Sequence, residues 1–182
     1  MTELLSPSRS AWSGRVSQHR REQVAARLAH PVSPGGPTGP VESDRLVLDL
    51  ARVRVAWATR VQESWLPVVK ALCRELESVS SVVLCTSAGA TVATYGLGSS
   101  DEDRASNLTG VLLGAAAALN GSEPDAVHLS AGHTHTVVAP VPGTEMGPHA
   151  LAVTAVEANA APVVAHTRRA AAELAGLLAP QS

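Results

Sequence analysis

The side chains with the best claim to chemistry are histidines in the last third of the chain. His133 and His135 stand two residues apart, with His128 and His149 nearby in sequence. Residues two apart on a strand face the same side, so His133 and His135 are candidate metal ligands. Glu145 is a candidate third ligand. The plainer reading is a pair of exposed histidines at a hairpin turn, which would give mild pH sensitivity below neutral. Ser130 beside His133 raises a hydrolase reading. No Gly-x-Ser-x-Gly elbow accompanies it, and Asp125, Glu157 and Glu173 read as surface charges, not as an orienting acid. Gly96-x-Gly98 falls between a strand and a helix, where a phosphate loop would lie. The third glycine is missing, and Asp101-Glu102-Asp103 would repel a phosphate there, so a turn followed by a helix cap is the better account. The residues therefore predict no enzyme and no cofactor.

Composition narrows the function further. The chain has 182 residues, no Phe, one Tyr and three Trp, so its core must be built from Ala, Val and Leu. This removes the aromatic platforms on which single-stranded nucleic acids stack, and a net charge of −2 argues the same way. The charge is uneven. Residues 1–40 hold five Arg against two Glu, while residues 41–182 hold nine basic and fourteen acidic groups. The basic tail could meet an anionic partner or membrane surface, although a solvated, disordered arm is the favoured reading. Cys73 and Cys85 sit among apolar neighbours and read as buried free thiols. The start of the chain has no apolar run of signal length, and no segment approaches a membrane span, so the expected location is the cytoplasm.

The elements that must position these residues follow from periodicity. Residues 1–42 read as a basic tail, weakly helical between Gly14 and His30, followed by a Pro/Gly linker from His30 to Pro40. Ser43 or Asp44 is placed to cap a helix. Leu46, Leu50, Val53, Trp57, Val61, Trp65, Val68, Leu72 and Leu76 then make one helical stripe. Pro67 argues for two helices, or one kinked one, divided near Gln62–Ser64, giving an extra helix over residues 43–63 before the main domain over residues 64–179. Arg52–Ala58 also alternates and competes as a strand. Ser81–Thr86 and Thr91–Tyr95 read as a hairpin turning at Gly89, and a helix capped by Ser99, Ser100 or Asp101 runs to Leu119, closed by Asn120-Gly121. Strands follow at Ala126–Ser130, His135–Val141 and Leu151–Val156, and a final helix begins at Asn159.

The second main helix is the strongest local feature. Leu108, Val111, Leu112, Ala115 and Leu119 form an apolar stripe, and Gly110, Gly114 and Ala118 form an adjoining stripe of small residues. A glycine in a helix interior costs about 1 kcal/mol relative to alanine, so two of them imply a gain from close approach. One account is a helix pressed on its own copy in a homodimer; the other is tight packing on its own sheet.

This order of helix, two strands, helix, three strands and helix resembles the Roadblock family (dynein light-chain roadblock type), which shares its architecture with longin and profilin-like domains. The resemblance runs over about Ser64–Leu178. It is carried by Val82–Ala93, by the Ala/Gly/Leu-rich helix Leu108–Leu119, and by the pair Thr136–Val141 and Leu151–Val156. The hairpin turn Ser87-Ala-Gly-Ala lacks the aspartate common in the family, and some sixty residues precede the domain. The resemblance implies an α+β fold with a central antiparallel five-stranded sheet and an N-terminal helical extension. It further implies a homodimer with a joined sheet and a two-helix platform, acting as a non-catalytic regulator or scaffold of a Ras-like small GTPase in a signalling or polarity system. In bacteria, similar domains are found beside such a GTPase and a sensor kinase. The expected dimer or partner interface is Arg104, Leu108, Gly110, Val111, Leu112, Gly114, Ala115 and Ala118. The competing reading is a small-molecule sensor with a GAF- or PAS-like sheet behind a signalling helix.

Overall fold

A computed structural model describes residues 40–180 of the chain, and side chains from Arg52 onward. The basic tail, the short helix expected between Gly14 and His30, and the linker up to residue 39 lie outside the described residues. Eight elements follow in order: α1 (Pro40–Glu75), β1 (Val79–Thr86), β2 (Thr91–Tyr95), α2 (Ser99–Asn120), β3 (Val127–Ala131), β4 (Thr134–Val141), β5 (His149–Val156) and α3 (Ala160–Leu177).

Alternation within the strands builds a two-sided core. The five strands form one antiparallel sheet in the order β2-β1-β5-β4-β3, which leaves β2 and β3 as its edges. Val82, Leu84, Val137, Leu151 and Val153 point to one face, where Trp65, Val68, Leu72, Val163, Ala171 and Leu174 from α1 and α3 cover them. Their neighbours Val83, Cys85, Val138, Ala150 and Ala152 point to the other face, under Leu113 of α2. Because the central strands are covered on both sides, Val82 to Cys85 is an unbroken apolar run with every residue buried. Each fully buried Leu or Val adds on the order of 1.5–3 kcal/mol of transfer free energy, so aliphatic side chains suffice for a core without Phe.

Three boundaries differ from the expectation. The stripe that begins at Leu46 lies on a single 36-residue helix, Pro40–Glu75, with Pro67 inside it, so of the two alternatives the division into two helices near Gln62–Ser64 is the one that fails. Helical burial of Ser64, Trp65, Val68 and Val69 on either side of the proline outweighs its local cost. The same helix takes in Arg52–Ala58, so the strand alternative is wrong, and Ser43 and Asp44 lie inside it rather than at its cap. The second helix is preceded by Gly98 in extended backbone at the cap position, with no side-chain cap. Its other end is as expected: Gly121 closes it at φ 70°.

The turns use glycine where L side chains are disfavoured. Gly89 in the β1–β2 turn has φ 84°. Gly96 has φ 75°, and a Cβ there would sit 2.0 Å from the Ser80 carbonyl oxygen. Gly96-Leu97-Gly98 is thus the tight exit from β2 into α2.

Candidate functional site

Helix α2 turns a mixed side to the sheet, polar and apolar, and leaves several of its large apolar residues outward. Ser106, Thr109, Gly110 and Leu113 are its buried residues. Leu108, Val111 and Leu119 are 52%, 66% and 87% exposed. An ordinary surface helix buries its apolar stripe, whereas α2 buries Leu113 but leaves these three large apolar side chains in solvent. The inward polar groups are satisfied locally. The Thr91 hydroxyl of β2 donates to Asp103 Oδ1 at 2.9 Å and lies 2.8 Å from the Ser106 hydroxyl. Thr109 donates to the Ala105 carbonyl at 2.8 Å, and Thr94 donates to Glu102 Oε1 at 2.9 Å. The bonds from Thr91 and Thr94 bind the first half of α2 to the edge strand β2 and fix which face is turned outward. They also give the acidic triplet a structural role: Glu102 and Asp103 accept from strand threonines.

The expected interface residues divide between the two faces. Arg104, Leu108, Val111, Gly114, Ala115 and Ala118 are exposed, and Leu112 is half-buried. Arg104, Leu108, Val111, Ala115 and Ala118 follow at steps of four, three, four and three, so they line one outward seam. Gly110 belongs to the inner face. A Cβ on it would lie 2.9 Å from the Gly89 amide nitrogen and 2.9 Å from the Ser87 carbonyl oxygen. Its small size therefore serves the chain's own β1–β2 turn. Gly114 has nothing within 4 Å of a built Cβ, so no contact within the described chain requires a glycine there.

One further residue joins this surface unannounced by helical periodicity. Leu129 of edge strand β3 is 42% exposed. It shares strand parity with Val127, which packs under α2, so it faces the α2 side of the sheet. Its position in a Val-His-Leu-Ser alternation is the signal that sequence offered for it.

The histidines are arranged differently from the expectation. His133 is in the β3–β4 turn, outside both strands, so it does not share a strand face with His135. The ring that meets His135 belongs to His128 on the neighbouring strand, with Nε2 of His128 3.1 Å from Nδ1 of His135. Glu145 is committed elsewhere, accepting from Arg60 at 3.1 Å. Among the described residues, no three His, Cys, Asp or Glu side chains are placed to hold a metal ion. Ser130 is exposed and pairs in register with His135, not with His133. His149 is 2% exposed and belongs to the core.

No described helix is long and apolar enough to cross a membrane. No family model matches the chain, and a search of curated proteins gives no match. Solved structures do match in fold. A Roadblock/LC7 domain from Streptomyces avermitilis is 21% identical, with a TM-score of 0.52 over 63% of this chain and 96% of that one. An MglB structure described as having a tetrameric arrangement is 18% identical, with a TM-score of 0.56 over 65% of this chain and 90% of that one. The gliding protein MglB from Thermus thermophilus is 20% identical, with a TM-score of 0.53 over 68% of this chain and 91% of that one. The chain therefore has the Roadblock/LC7 fold, with a five-stranded antiparallel sheet between helices.

Proposed function

We propose that this Roadblock-fold chain is a non-catalytic, homodimeric regulator or scaffold of a Ras-like small GTPase, working in a cytoplasmic signalling or polarity system, with a sensor kinase as a further component. The observation that carries the reading is the outward apolar seam of α2. Leucine and valine side chains on the solvent side of a helix whose inner side is partly polar make sense when a second surface covers them. A second copy supplies such a surface, with α2 against α2 and the free β3 edge, marked by Leu129, extending the sheet. Self-association is also the property named for the MglB structure with the tetrameric arrangement.

The two paired helices would form the platform for the GTPase, and the reading assigns this work to residues 64–179. Arg104, exposed at the start of the seam, is the charged residue proposed to contact the partner. Any effect on hydrolysis would come from repositioning the GTPase's own groups. The test is a capture experiment with the purified chain, run in parallel with GDP and with a non-hydrolysable GTP analogue. The expected result is a Ras-like GTPase, identified by mass spectrometry, retained in one nucleotide state and lost on Arg104→Glu. A stable dimer that retains no GTPase in either state would overturn the regulator reading and favour a ligand-sensing or purely structural module.

A further inference from the structure

The β3 edge of the sheet carries two imidazoles on one face. In the β3–β4 ladder, His128 stands opposite Val137 and Ser130 stands opposite His135. His128 and His135 are therefore diagonal neighbours across the two strands, a separation that aromatic side chains span. Both share the sheet face of Val137, which belongs to the core under α1 and α3. The pair thus lies on the side of the sheet away from α2. Cover from the helices stops short of it: Val137 is buried, His135 is half-buried and His128 is exposed.

The two rings meet through nitrogen. His128 Nε2 lies 3.1 Å from His135 Nδ1, and the ring centroids are 5.2 Å apart with planes inclined by 32°. An imidazole nitrogen binds a divalent transition metal at about 2.0–2.1 Å. Two such bonds to nitrogens 3.1 Å apart enclose an angle of about 100°. That falls between the right angle of a square-planar site and the wider angle of a tetrahedral one, so a small turn of each ring makes the pair a chelate. Between two neutral rings the contact is a hydrogen bond, one N–H donating to the other ring. A cation takes the place of that proton once the donor ring carries its N–H on the far nitrogen instead, which leaves a lone pair on each near nitrogen and releases no proton. Imidazole nitrogen suits Ni2+, Cu2+ and Zn2+, whereas Mg2+ and Ca2+ take oxygen ligands. Both histidines sit on paired strands of a fixed ladder, so a cation held by one ring meets the second at a high effective concentration.

We propose that His128 and His135 chelate one divalent transition-metal cation of the Ni2+, Cu2+ and Zn2+ class at the β3 edge of the sheet, with water in its remaining positions. The site lies within one chain, away from the α2 seam, and does not depend on the GTPase reading.

The test is isothermal titration calorimetry of the full chain with NiCl2 in a buffer that does not bind metal. A background of His19→Ala and His30→Ala removes the two histidines of the tail. The expected result is one Ni2+ per chain, with affinity lowered at least ~10-fold by His128→Ala and, separately, by His135→Ala, because each leaves a single imidazole without its chelating neighbour. His133→Ala is the control: that ring stands in the β3–β4 turn, and its removal should leave the affinity unchanged. Thermal melts give a second reading. Saturating Ni2+ should raise the melting temperature of the background protein and not that of His128→Ala, since a cation bound to the folded chain stabilises it. His128 is exposed, so this variant keeps the fold, and its melting temperature without metal checks that. Failure to bind Ni2+, an affinity unchanged by either substitution at 128 or 135, or an equal loss in His133→Ala would each overturn the proposal. Binding of Mg2+ as tight as that of Ni2+ would overturn it too, since it would mean oxygen ligands.

Discussion

Trp57 of α1 lies over His149 at the head of β5, with ring centroids 5.2 Å apart and planes inclined by 34°. The imidazole is enclosed. Its Nδ1 lies 2.8 Å from the Gly147 carbonyl and 2.9 Å from the Thr144 hydroxyl, which itself donates to Gly147. Its Nε2 and the Trp57 indole nitrogen are both buried without a hydrogen-bond partner. The pair fastens the upper end of docked α1 to the sheet, and the nearby charges, Arg60 of α1 and Glu145 of the β4–β5 loop, neutralise each other.

Burial pushes the His149 pKa below its usual value, against a smaller opposing effect of the Gly147 carbonyl. The unfolded chain then takes up a proton below about pH 6.5 while the folded chain does not, so stability falls as pH falls. The slope from this one group is at most about 1.4 kcal/mol per pH unit. Melting temperature should therefore drop more steeply between pH 7.5 and 5.5 in the native chain than in His149→Leu. Parallel profiles for the two proteins would show that the ring is protonated inside the fold.

Gly110 and Gly114 should separate folding from assembly. Gly110→Ala drives a methyl group into the Ser87–Gly89 backbone and should cost about 1–3 kcal/mol by overpacking. Gly114→Ala meets open space and should add up to about 1 kcal/mol by helix propensity. Denaturant melts under dilute conditions measure both, and the two substitutions are expected to shift the midpoint in opposite directions.

The outward seam of α2 should be dispensable for folding and required for pairing. Leu108→Glu introduces a charge at a site that is 52% exposed in the single chain, so circular dichroism should be unchanged. Gly114→Leu adds bulk where another helix backbone would approach. Sedimentation equilibrium at micromolar concentration is expected to show weakened association through α2 for both. Native-like association in both variants would remove α2 from the interface.

The two thiols should differ sharply in reactivity. Cys85 is fully buried, and desolvation pushes its pKa up to about 12, so little thiolate exists near neutral pH. Cys73 is only partly buried. A disulfide reagent should titrate one thiol in the native protein and the second only on unfolding. Fast reaction of both would mean that β1 opens readily.

The central hairpin, the glycine turns and the closing helix were legible because each is a local matter. Gly89 and Gly121 take positive φ where turn chemistry demands it, and Val82–Cys85 reads as a strand from residue type alone. Caps and the proline were misread because local preference lost to packing. Pro67 stays within α1 since burial on both sides of it holds the helix together, and α2 begins after Gly98 without a side-chain cap. The histidine pair was misassigned because sequence spacing reports neighbours along a strand, whereas His128 and His135 meet across two strands.

By itself, the sequence determined the order of elements, an aliphatic core and the presence of a small-residue stripe on α2, because composition and period are carried by residue type. Only the tertiary structure decided which way α2 faces. Periodicity defines an apolar side without saying whether a sheet or solvent lies against it. The Thr91, Asp103 and Ser106 contacts turn Gly110 inward onto the β1–β2 turn and leave Leu108 and Val111 outside. Those contacts join residues on different elements, and no pattern along one helix records them.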